Sequence, residues 1–377
     1  MRKKIVIATL NDYIVYQPTI LNLYDRLKEV FDVEIISFEP EYISKQKDFE
    51  RNVKYLKVPQ AQKHIVQKFD FLINKLQPLI IKVFPRFKYH YKYYNYLLPS
   101  VLKKALRNIV ADYVISVDIP ALSICQEVFG DVHFLSLEID ISDPYLKKID
   151  ITRIKSVFIQ NIDRVKYLLP EYKGPVFIVQ NAPPYIPMTS QVEKSTDFVW
   201  AGTLVERFGI FDCLDFFTKH PEYRIVLKGG ADKSTLQKVK SEYSEWIKKG
   251  VIELNNAYLP SDEFVRFLSR FKIGFCFYSW DLINSNFNYR TAPSGKLFMY
   301  MAAGVPVVAC KIPGFDFIDK FRAGVLIEDY STESILKAVK TIEEDYEEYQ
   351  KACFKVAEHF DFNKDVTSYI EFLSAEM

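Results

Sequence analysis

Short, mostly apolar runs alternate along this chain with segments whose apolar residues recur every three or four positions. The runs are rich in valine, isoleucine and phenylalanine, which is typical of strands buried on both faces. The first two runs span residues 4–10 and 32–38, and residues 19–31 between them have helical periodicity. This β-α-β order predicts a parallel sheet whose ligands bind at the carboxyl ends of the strands.

The alternation continues through the first half of the chain and then stops at a stiff segment. Further strands are predicted at 112–117, 132–138, 156–160 and 176–179. The sequence NAPPYIP follows at 181–187, and its prolines can continue neither a helix nor a strand. We therefore predict an N-terminal domain at 1–182, a C-terminal domain at 183–360, and a C-terminal helix at 361–377 that returns to the N-terminal domain.

The second half restarts the same alternation, so two Rossmann-like parallel-sheet domains of α/β class are predicted. A helix capped by Ser261 and a long polar loop before residue 291 are also expected. The predicted strands are 197–201, 223–227, 251–254, 272–278, 305–310 and 323–328, and the predicted helices are 210–219, 233–249, 296–303 and a single charged helix at 332–360.

The stretch TAPSGKLFMYMAAGVPVVACKIPG at 291–314 is the most informative one in the chain. Ser294 is a suitable N-cap for the helix that follows, and Gly304 ends that helix. A helix N-terminus offers free N–H groups and the positive end of a dipole. Ser294, Gly295 and Lys296 therefore predict a phosphate site. The alternative, from spacing alone, is an ordinary helix whose lysine is solvated.

Two other nucleotide-binding motifs are excluded. In a nucleoside-triphosphate loop, Leu297 would stand where Ser or Thr binds magnesium, and Arg290 where the first glycine belongs. The loop after the first strand, NDYIVYQP, lacks glycines and carries no dinucleotide fingerprint.

Composition favours two domains in a reducing compartment. The chain has 377 residues, of which 49% are apolar, and this is enough for two sizeable cores. A net charge of +2 identifies no partner by itself. The five cysteines are scattered without CxxC spacing and are predicted to be buried free thiols. We see no signal peptide and no membrane-spanning apolar run, so we expect a cytosolic protein or one bound to the cytosolic face of a membrane.

Residues 71–111 contain no acid and interleave basic with aromatic side chains. Basic residues attract anionic headgroups and amphipathic rings settle at the interface, so we favour an anionic membrane surface as the partner. A solvated, Tyr-rich helical hairpin is the alternative. Single-stranded nucleic acid is a third, but no nucleic-acid fold signature supports it and we expect no such partner. The residues are Lys75, Lys82, Arg86, Lys88, Lys92, Lys103, Lys104 and Arg107, with Phe84, Phe87, Tyr89, Tyr91, Tyr93, Tyr94 and Tyr96.

Acidic residues follow one buried strand of the first half. Glu138 ends the run at 132–138, and Asp140 and Asp143 come soon after it. At the carboxyl edge of a parallel sheet, a carboxylate can act as a base or orient an acceptor hydroxyl. A surface loop rich in acids is the alternative.

Several segments, in this order, resemble the GT-B glycosyltransferases, in particular the large retaining family 4 type. FIQNIDRVKYLL followed by FIVQNAPP is similar to the end of that family's acceptor domain, and FVWAGTLVERFG to the first strand and turn of its donor domain. YRIVLKGG, PSGKLFMYMAAGVPVVAC and GFDFIDKFRAGVLI resemble the segments that follow. The resemblance covers roughly residues 157–327 and implies two Rossmann-like domains that face a cleft.

The resemblance implies a donor site in the C-terminal domain and an acceptor side in the N-terminal one. We expect Glu138 to be the catalytic residue, with Asn11, Asp12 and Asp140 on the acceptor side. Neither a cofactor nor a metal ion is implied, because the nucleotide sugar is a substrate. The expected donor-binding residues are Gly202, Arg207, Lys228, Ser294, Gly295 and Lys296 around the diphosphate, and Asn256, Ala257 and Tyr258 at the base.

The chain departs from the family at two pairs of positions. The family's two glutamates, one for the ribose and one for the sugar, correspond here to Met299 and Thr291. Its Arg and Lys for the diphosphate correspond to Thr203 and Phe208, with Arg207 the nearest cation.

The implied reaction is transfer of a sugar from a nucleotide-sugar donor to a hydroxyl of a lipid-linked or polysaccharide acceptor, as in capsule or lipopolysaccharide synthesis, with retention and without a metal. Three alternatives stay open at this point. They are a nucleotide-sugar 2-epimerase of the same fold, a non-catalytic binding protein, and a metal-dependent GT-A transferase in which Glu138-Ile139-Asp140 is the metal motif.

Overall fold

The computed structural model describes residues 2–12, 14–39, 51–84, 92–187, 195, 197–257 and 259–375. The chain divides into two compact units. The first unit comprises Met1–Val179 with Ser368–Met377, and the second comprises Gln180–Thr367.

A seven-stranded parallel sheet forms the centre of the first unit, in the order β3-β2-β1-β4-β5-β6-β7. The chain proceeds outward from β1 in one direction and from β4 in the other. The carboxyl ends of β1 and β4 therefore form the switch point, where ligands of such sheets bind. The strands are β1 (Lys4–Ala8), β2 (Asp32–Phe38), β3 (Val53–Leu56), β4 (Tyr113–Val117), β5 (Val132–Leu135), β6 (Ile154–Ile159) and β7 (Val176–Ile178).

The helices of the first unit include one that is much longer than the rest. They are α1 (Pro18–Leu27), α2 (Gln60–Val83), α3 (Leu98–Leu106), α4 (Asp118–Phe129) and α5 (Ile162–Leu168), with a π-helical turn at Tyr93–Leu97. The last helix, α16 (Phe362–Ala375), ends in this unit, where the Tyr369 ring contacts Phe158 and Phe177. No helix among the described residues is long and apolar enough to cross a membrane.

The second unit is built on a six-stranded parallel sheet in the order β10-β9-β8-β11-β12-β13. Its switch point lies between the carboxyl ends of β8 and β11. The strands are β8 (Phe198–Ala201), β9 (Ile225–Lys228), β10 (Ile252–Asn255), β11 (Ile273–Cys276), β12 (Val307–Cys310) and β13 (Gly324–Ile327).

Helices cover both faces of the second sheet, and each face has its own apolar core. One core joins side chains of α6, α7 and α14 to the sheet, and the other joins those of α12, α13 and α15. The helices are α6 (Ile210–Lys219), α7 (Lys233–Glu242), α8 (Ser244–Lys248), α9 (Ser261–Leu268), α10 (Trp280–Ser285), α11 (Phe287–Thr291), α12 (Gly295–Ala302), α13 (Asp316–Phe321), α14 (Thr332–Glu344) and α15 (Tyr346–His359).

The predicted fold class is confirmed, because two parallel α/β sheets are present. The GT-A alternative is accordingly wrong. The prediction of five buried free thiols is also confirmed.

Four predictions of regular structure are wrong. Ser261 is not the cap of its helix: α9 begins at Ser261, and Pro260 occupies the N-cap position. The helix at 233–249 breaks at Tyr243, which is buried and donates its hydroxyl to Asp215 at 2.6 Å. The helix at 332–360 breaks at Asp345, whose carbonyl accepts the N–H groups that begin α15. The predicted polar loop contains α10 and α11, whose N-termini are capped by the side chains of Ser279 and Asn286.

Candidate functional site

The Tyr300 side chain joins α12 to β8 and β11, the two strands at the switch point of the second sheet. It is fully buried, and the Ala201 N–H donates to its hydroxyl oxygen at 2.7 Å. The same hydroxyl lies 3.3 Å from the carbonyl oxygens of Val199 and Phe275. A side chain on Gly274 would collide with the Tyr300 ring at 2.9 Å, so that position has to be glycine. The helix is therefore held rigidly above β8 and β11.

Lys296 lies one turn before Tyr300, on the same face of α12. Its side chain reaches over Gly202, which follows β8: a Cβ on Gly202 would be 4.0 Å from Lys296 Cε. The Lys296 Nζ is buried, and none of the described residues gives it a hydrogen-bond partner. Such a group costs free energy until a ligand or water satisfies it.

Three aromatic rings surround the Lys296 ammonium. Its Nζ is 4.7 Å from the ring centroid of Trp200, 5.5 Å from that of Phe208 and 5.9 Å from that of Tyr278. Trp200 is fully buried and Tyr278 nearly so. The rings supply cation–π attraction but no hydrogen-bond acceptor, so the ammonium keeps its donors available for an anion.

Ser294 stands at the N-cap position but does not cap the helix through its side chain, so that prediction is wrong. Its hydroxyl lies instead toward the thiol of Cys276 and the phenol of Tyr278. The first turn closes through the Leu297 N–H, which donates to the Ser294 carbonyl at 3.0 Å. The amides of Gly295 and Lys296 precede that bond, and the helix itself offers them no acceptor. They lie at the positive end of the helix dipole.

Two glycines let the turns after β8 and β9 approach each other. Gly229 has φ +150°, and a Cβ on it would be 2.0 Å from the Gly202 carbonyl oxygen. Gly202 itself has φ +104°. The two turns therefore meet backbone to backbone, next to the Lys296 side chain that passes over Gly202.

The other two predicted cations differ from each other. Arg207, in the turn after β8, is exposed, and no described acid forms an ion pair with it. Lys228 is only 3% exposed, and its Nζ donates to Asn255 Oδ1 at 2.9 Å and to the Ala257 carbonyl. Burial lowers the pKa of Lys228. Lys228 therefore fastens the turn after β10.

That turn contains two of the residues expected at the base. Asn256 and Ala257 are exposed beyond the end of β10. The Ala257 N–H donates to Asn255 Oδ1 at 3.3 Å, so Asn255 and Lys228 together define the shape of the turn. Tyr258 lies outside the described residues.

In the first unit, Asp118 marks the carboxyl end of β4, and the sequence analysis missed it. Its backbone has φ +62°, a left-handed conformation that is rare for a residue with a side chain. Its Oδ1 accepts the N–H groups of Leu137 (2.8 Å) and Glu138 (2.9 Å). Loss of hydration, opposed by the amide of Glu138, raises the pKa of Asp118 to about 7. Asp118 could have been found from the sequence, because it is an acid directly after a predicted buried strand.

Glu138 and Asp140 lie on the same edge of that sheet. Glu138 is exposed, and its backbone is held by Asp118. Buried Arg164 donates to the Leu137 carbonyl at 3.0 Å, which holds the turn from the other side. Asp140 accepts the N–H and the hydroxyl of Ser142, so its carboxylate is engaged in a local turn.

Asn11 and Asp12 follow β1, the strand that pairs with β4. The Asn11 carbonyl accepts the Ser37 hydroxyl at 2.6 Å, and Asp12 is buried. They share the switch-point edge with Asp118. Across the described residues, no three His, Cys, Asp or Glu side chains come together as metal ligands.

The two sheets define a class: the chain has the GT-B fold of solved glycosyltransferases. The structure of Anabaena Alr3699/HepE in complex with UDP covers 100% of this chain and of its own, with a TM-score of 0.68 and 10% identity. The α,α-trehalose 6-phosphate synthase of Burkholderia multivorans also covers 100% of both, with a TM-score of 0.65 and 11% identity.

A third structure, that of the E. coli trehalose-6-phosphate protein bound with UDP-2-fluoro glucose, covers 98% of each chain at a TM-score of 0.66 and 11% identity. At such identities the likeness is one of fold. No family description and no curated protein sequence matches this chain.

Proposed function

We propose that this protein transfers a sugar from a nucleoside-diphosphate sugar to a hydroxyl acceptor. The observation that carries the proposal is the buried Lys296 ammonium, which has three aromatic neighbours and no hydrogen-bond partner among the described residues. It lies at the N-terminus of a helix, at a sheet switch point, where a diphosphate is expected. The structural neighbours that hold UDP and UDP-2-fluoro glucose support a donor of this type.

On the donor side, the diphosphate contacts the amides of Gly295 and Lys296 and the Lys296 ammonium, and Arg207 reaches it from the surface. These groups offset the charge that develops on the leaving nucleoside diphosphate, so they accelerate the reaction without a metal. The turn held by Lys228, with Asn256 and Ala257, receives the base.

On the acceptor side, the Glu138 carboxylate orients the acceptor hydroxyl or takes its proton. Asp118 acts through Glu138 as a positioning residue, because it accepts that residue's backbone N–H. Asn11, Asp12 and Asp140 line the same edge. We propose retention of configuration and a lipid-linked or polysaccharide acceptor at the cytosolic face of a membrane.

A second candidate is a non-catalytic nucleotide-sugar-binding protein. This candidate is favoured because neither of the two positions that correspond to the family glutamates has an acidic side chain. Met299 packs half-buried against an apolar core, and the Thr291 hydroxyl donates to the Phe287 carbonyl at 2.8 Å. Neither offers an acid to the ribose or the sugar.

Turnover separates these candidates. The protein is incubated with UDP-, GDP-, ADP- and CMP-sugars, with and without polyprenyl-phosphate-linked glycans, while nucleotide release is measured and the sugar is followed by NMR. Acceptor-dependent release with a lengthened glycan is the expected result. Binding without release would favour the non-catalytic protein, and a changed sugar without acceptor would identify a 2-epimerase.

A further inference from the structure

Helix α2 carries an apolar stripe on its exposed side. Six apolar side chains follow one another at alternating intervals of four and three residues. At about 100° per residue this spacing keeps them within one band about 80° wide. The members of this α2 stripe, with their exposed fractions, are Ile65 (67%), Phe69 (45%), Leu72 (52%), Leu76 (39%), Leu79 (60%) and Val83 (71%).

A different side of α2 is hydrogen-bonded to the rest of the first unit through Asp70. These hydrogen bonds determine which way the stripe faces. Asp70 is 5% exposed, and its carboxylate accepts the N–H groups of Lys92 at 2.8 Å and Tyr93 at 2.9 Å. Ile73 and Gln77 are half-buried on the same side as Asp70. The helix therefore cannot rotate to bury the stripe without breaking these hydrogen bonds.

A row of lysines borders the stripe. Lys68, Lys75 and Lys82 recur every seven residues and are all exposed. The only acid within α2 is Asp70, whose carboxylate is buried and hydrogen-bonded. The exposed surface of α2 therefore has positive charge beside apolar side chains, with no negative charge to offset it.

Aromatic residues extend this surface beyond the helix. The Lys92 Nζ lies 5.9 Å from the ring centroid of Phe69 and 5.1 Å from that of Tyr96, so it joins the two rings. Tyr94 and Tyr96 are more than half exposed. Tyrosine rings and lysine stems both suit the boundary between headgroups and acyl chains.

We propose that the α2 stripe docks on the surface of an anionic membrane, with α2 lying in the interface plane. Its apolar band enters the acyl boundary while Lys68, Lys75 and Lys82 contact anionic headgroups. Pairing with a second copy fits less well. Antiparallel pairing would bring the two lysine rows together, and parallel pairing would give the lysines no acidic partner. This surface is independent of the donor site, so it holds whatever the sugar is.

Vesicle flotation tests the proposal with the full chain. Phosphatidylcholine vesicles are compared with vesicles that contain about 30% phosphatidylserine, at low salt and at about 0.5 M salt. We expect binding to the anionic vesicles and its loss in salt. Each lysine near the surface contributes about fivefold, so the triple change Lys68→Glu, Lys75→Glu, Lys82→Glu is expected to weaken binding roughly 100-fold or more.

A matched control makes the same change in charge elsewhere. Lys233, Lys240 and Lys248 are exposed on α7 and α8, and the triple change of these residues to Glu should leave most of the binding intact. If both triple variants lose vesicle binding equally, the loss is explained by the change in net charge alone, and the proposal is overturned. Equal binding of wild type and the α2 variant would also overturn it.

Insertion of the apolar stripe into the membrane can be measured separately, by tryptophan fluorescence. All three tryptophans, Trp200, Trp246 and Trp280, lie in the second unit. A Leu76→Trp variant therefore reports on the stripe. Its additional emission should shift to the blue on anionic vesicles and be quenched by brominated acyl chains. No shift, or a dimer in solution that Leu72→Gln dissociates, would assign the stripe to another occupant and overturn the proposal.

Discussion

Replacing Lys296 with methionine removes one buried charge and leaves the helix around it in place. Methionine has nearly the length of the lysine stem and fills the space between Trp200, Phe208 and Tyr278. Tyr300 still fastens α12, because its hydrogen bonds do not involve Lys296. Two consequences of opposite sign follow if the Lys296 ammonium is there to bind a diphosphate.

The first consequence is a more stable protein when no nucleotide is added. A buried polar group without a hydrogen bond costs about 1–3 kcal/mol, or more when charged. Cation–π attraction to the three rings returns about 0.5–2 kcal/mol. The difference favours methionine by about 1 kcal/mol, which corresponds to a rise in Tm of about 2–4 °C for a unit of this size.

The second consequence is weaker binding of the nucleoside diphosphate. A hydrogen bond to a charged group contributes about 1.5–3 kcal/mol, so Kd should rise about 10- to 100-fold. At a ligand concentration of 100 times the wild-type Kd, stabilisation by ligand is about 2.7 kcal/mol. In the variant, the same concentration gives only about 0.4–1.4 kcal/mol.

Thermal unfolding and calorimetry with UDP, GDP and ADP, each beside its nucleoside, measure both consequences. The nucleoside lacks phosphates, so its affinity should not change. Lys355→Met, an exposed position on α15, is the matched control and should alter neither quantity. If Lys296→Met leaves diphosphate affinity unchanged, or weakens nucleoside and diphosphate equally, Lys296 is not a phosphate ligand and the donor site proposed above is wrong.

Three further changes test other parts of the structure. Glu138→Gln keeps the shape and removes the charge, so turnover should fall about 100-fold or more while nucleotide affinity holds; unchanged turnover would return Glu138 to a surface role. The pKa of Asp118 is raised to about 7, so the folded state binds that proton more tightly and stability falls as pH rises from about 4 to about 7. Asp118→Asn keeps a side chain that tolerates φ +62°, and denaturant unfolding at pH 5 and pH 8 should show this loss reduced; an unchanged pH dependence would contradict the burial argument. Gly229→Ala places a Cβ 2.0 Å from the Gly202 carbonyl and should cost about 1–3 kcal/mol or more, whereas Gly230→Ala, with nothing within 4 Å, should cost little in the same assay.

Strands buried on both faces could be predicted from the sequence because their signal is local. KIVIA and DVEIISF are short segments rich in isoleucine and valine, and the structure has them as the paired strands β1 and β2. The helix at 210–219 agrees at both ends, since its apolar residues recur with a helical period and Gly209 precedes it with φ +72°. β3 was not predicted, because VKYL has only four residues and its pairing with β2 supplies what the local pattern lacks.

Breaks inside helices could not be predicted, because tertiary contacts cause them. Neither Tyr243 nor Asp345 is a helix breaker by type. Tyr243 leaves the helix to bury its ring and to reach Asp215, a residue on α6. Helix capping could not be predicted at Ser294 for the same reason. Its hydroxyl lies toward Cys276 and Tyr278, on a neighbouring strand and loop, and does not cap α12.

The site was predictable only in part for the same reason. The helix and its lysine were evident from SGKLF, but the rings around the ammonium come from Trp200, Phe208 and Tyr278, which are distant in sequence. Asp118 met the criterion used for Glu138, an acid at the end of a buried strand. Its left-handed backbone and its two amide contacts are visible only in three dimensions.

The surroundings of Lys296 determine how strongly one side chain can act. A charge among aromatic rings lies in a medium less polarisable than water, where attraction to a phosphate is stronger. The Lys296 ammonium has no hydrogen-bond partner among the residues that the structure describes. Because Tyr300 is buried and bonded to the backbone of two strands, α12 cannot move to bring the ammonium to a new partner. The cost of that ammonium is present before any ligand arrives, and an anion at the helix N-terminus removes it on binding. If the donor site is as proposed, we expect affinity for a diphosphate to depend on the Lys296 Nζ more than on the exposed Arg207, whose guanidinium is screened by solvent.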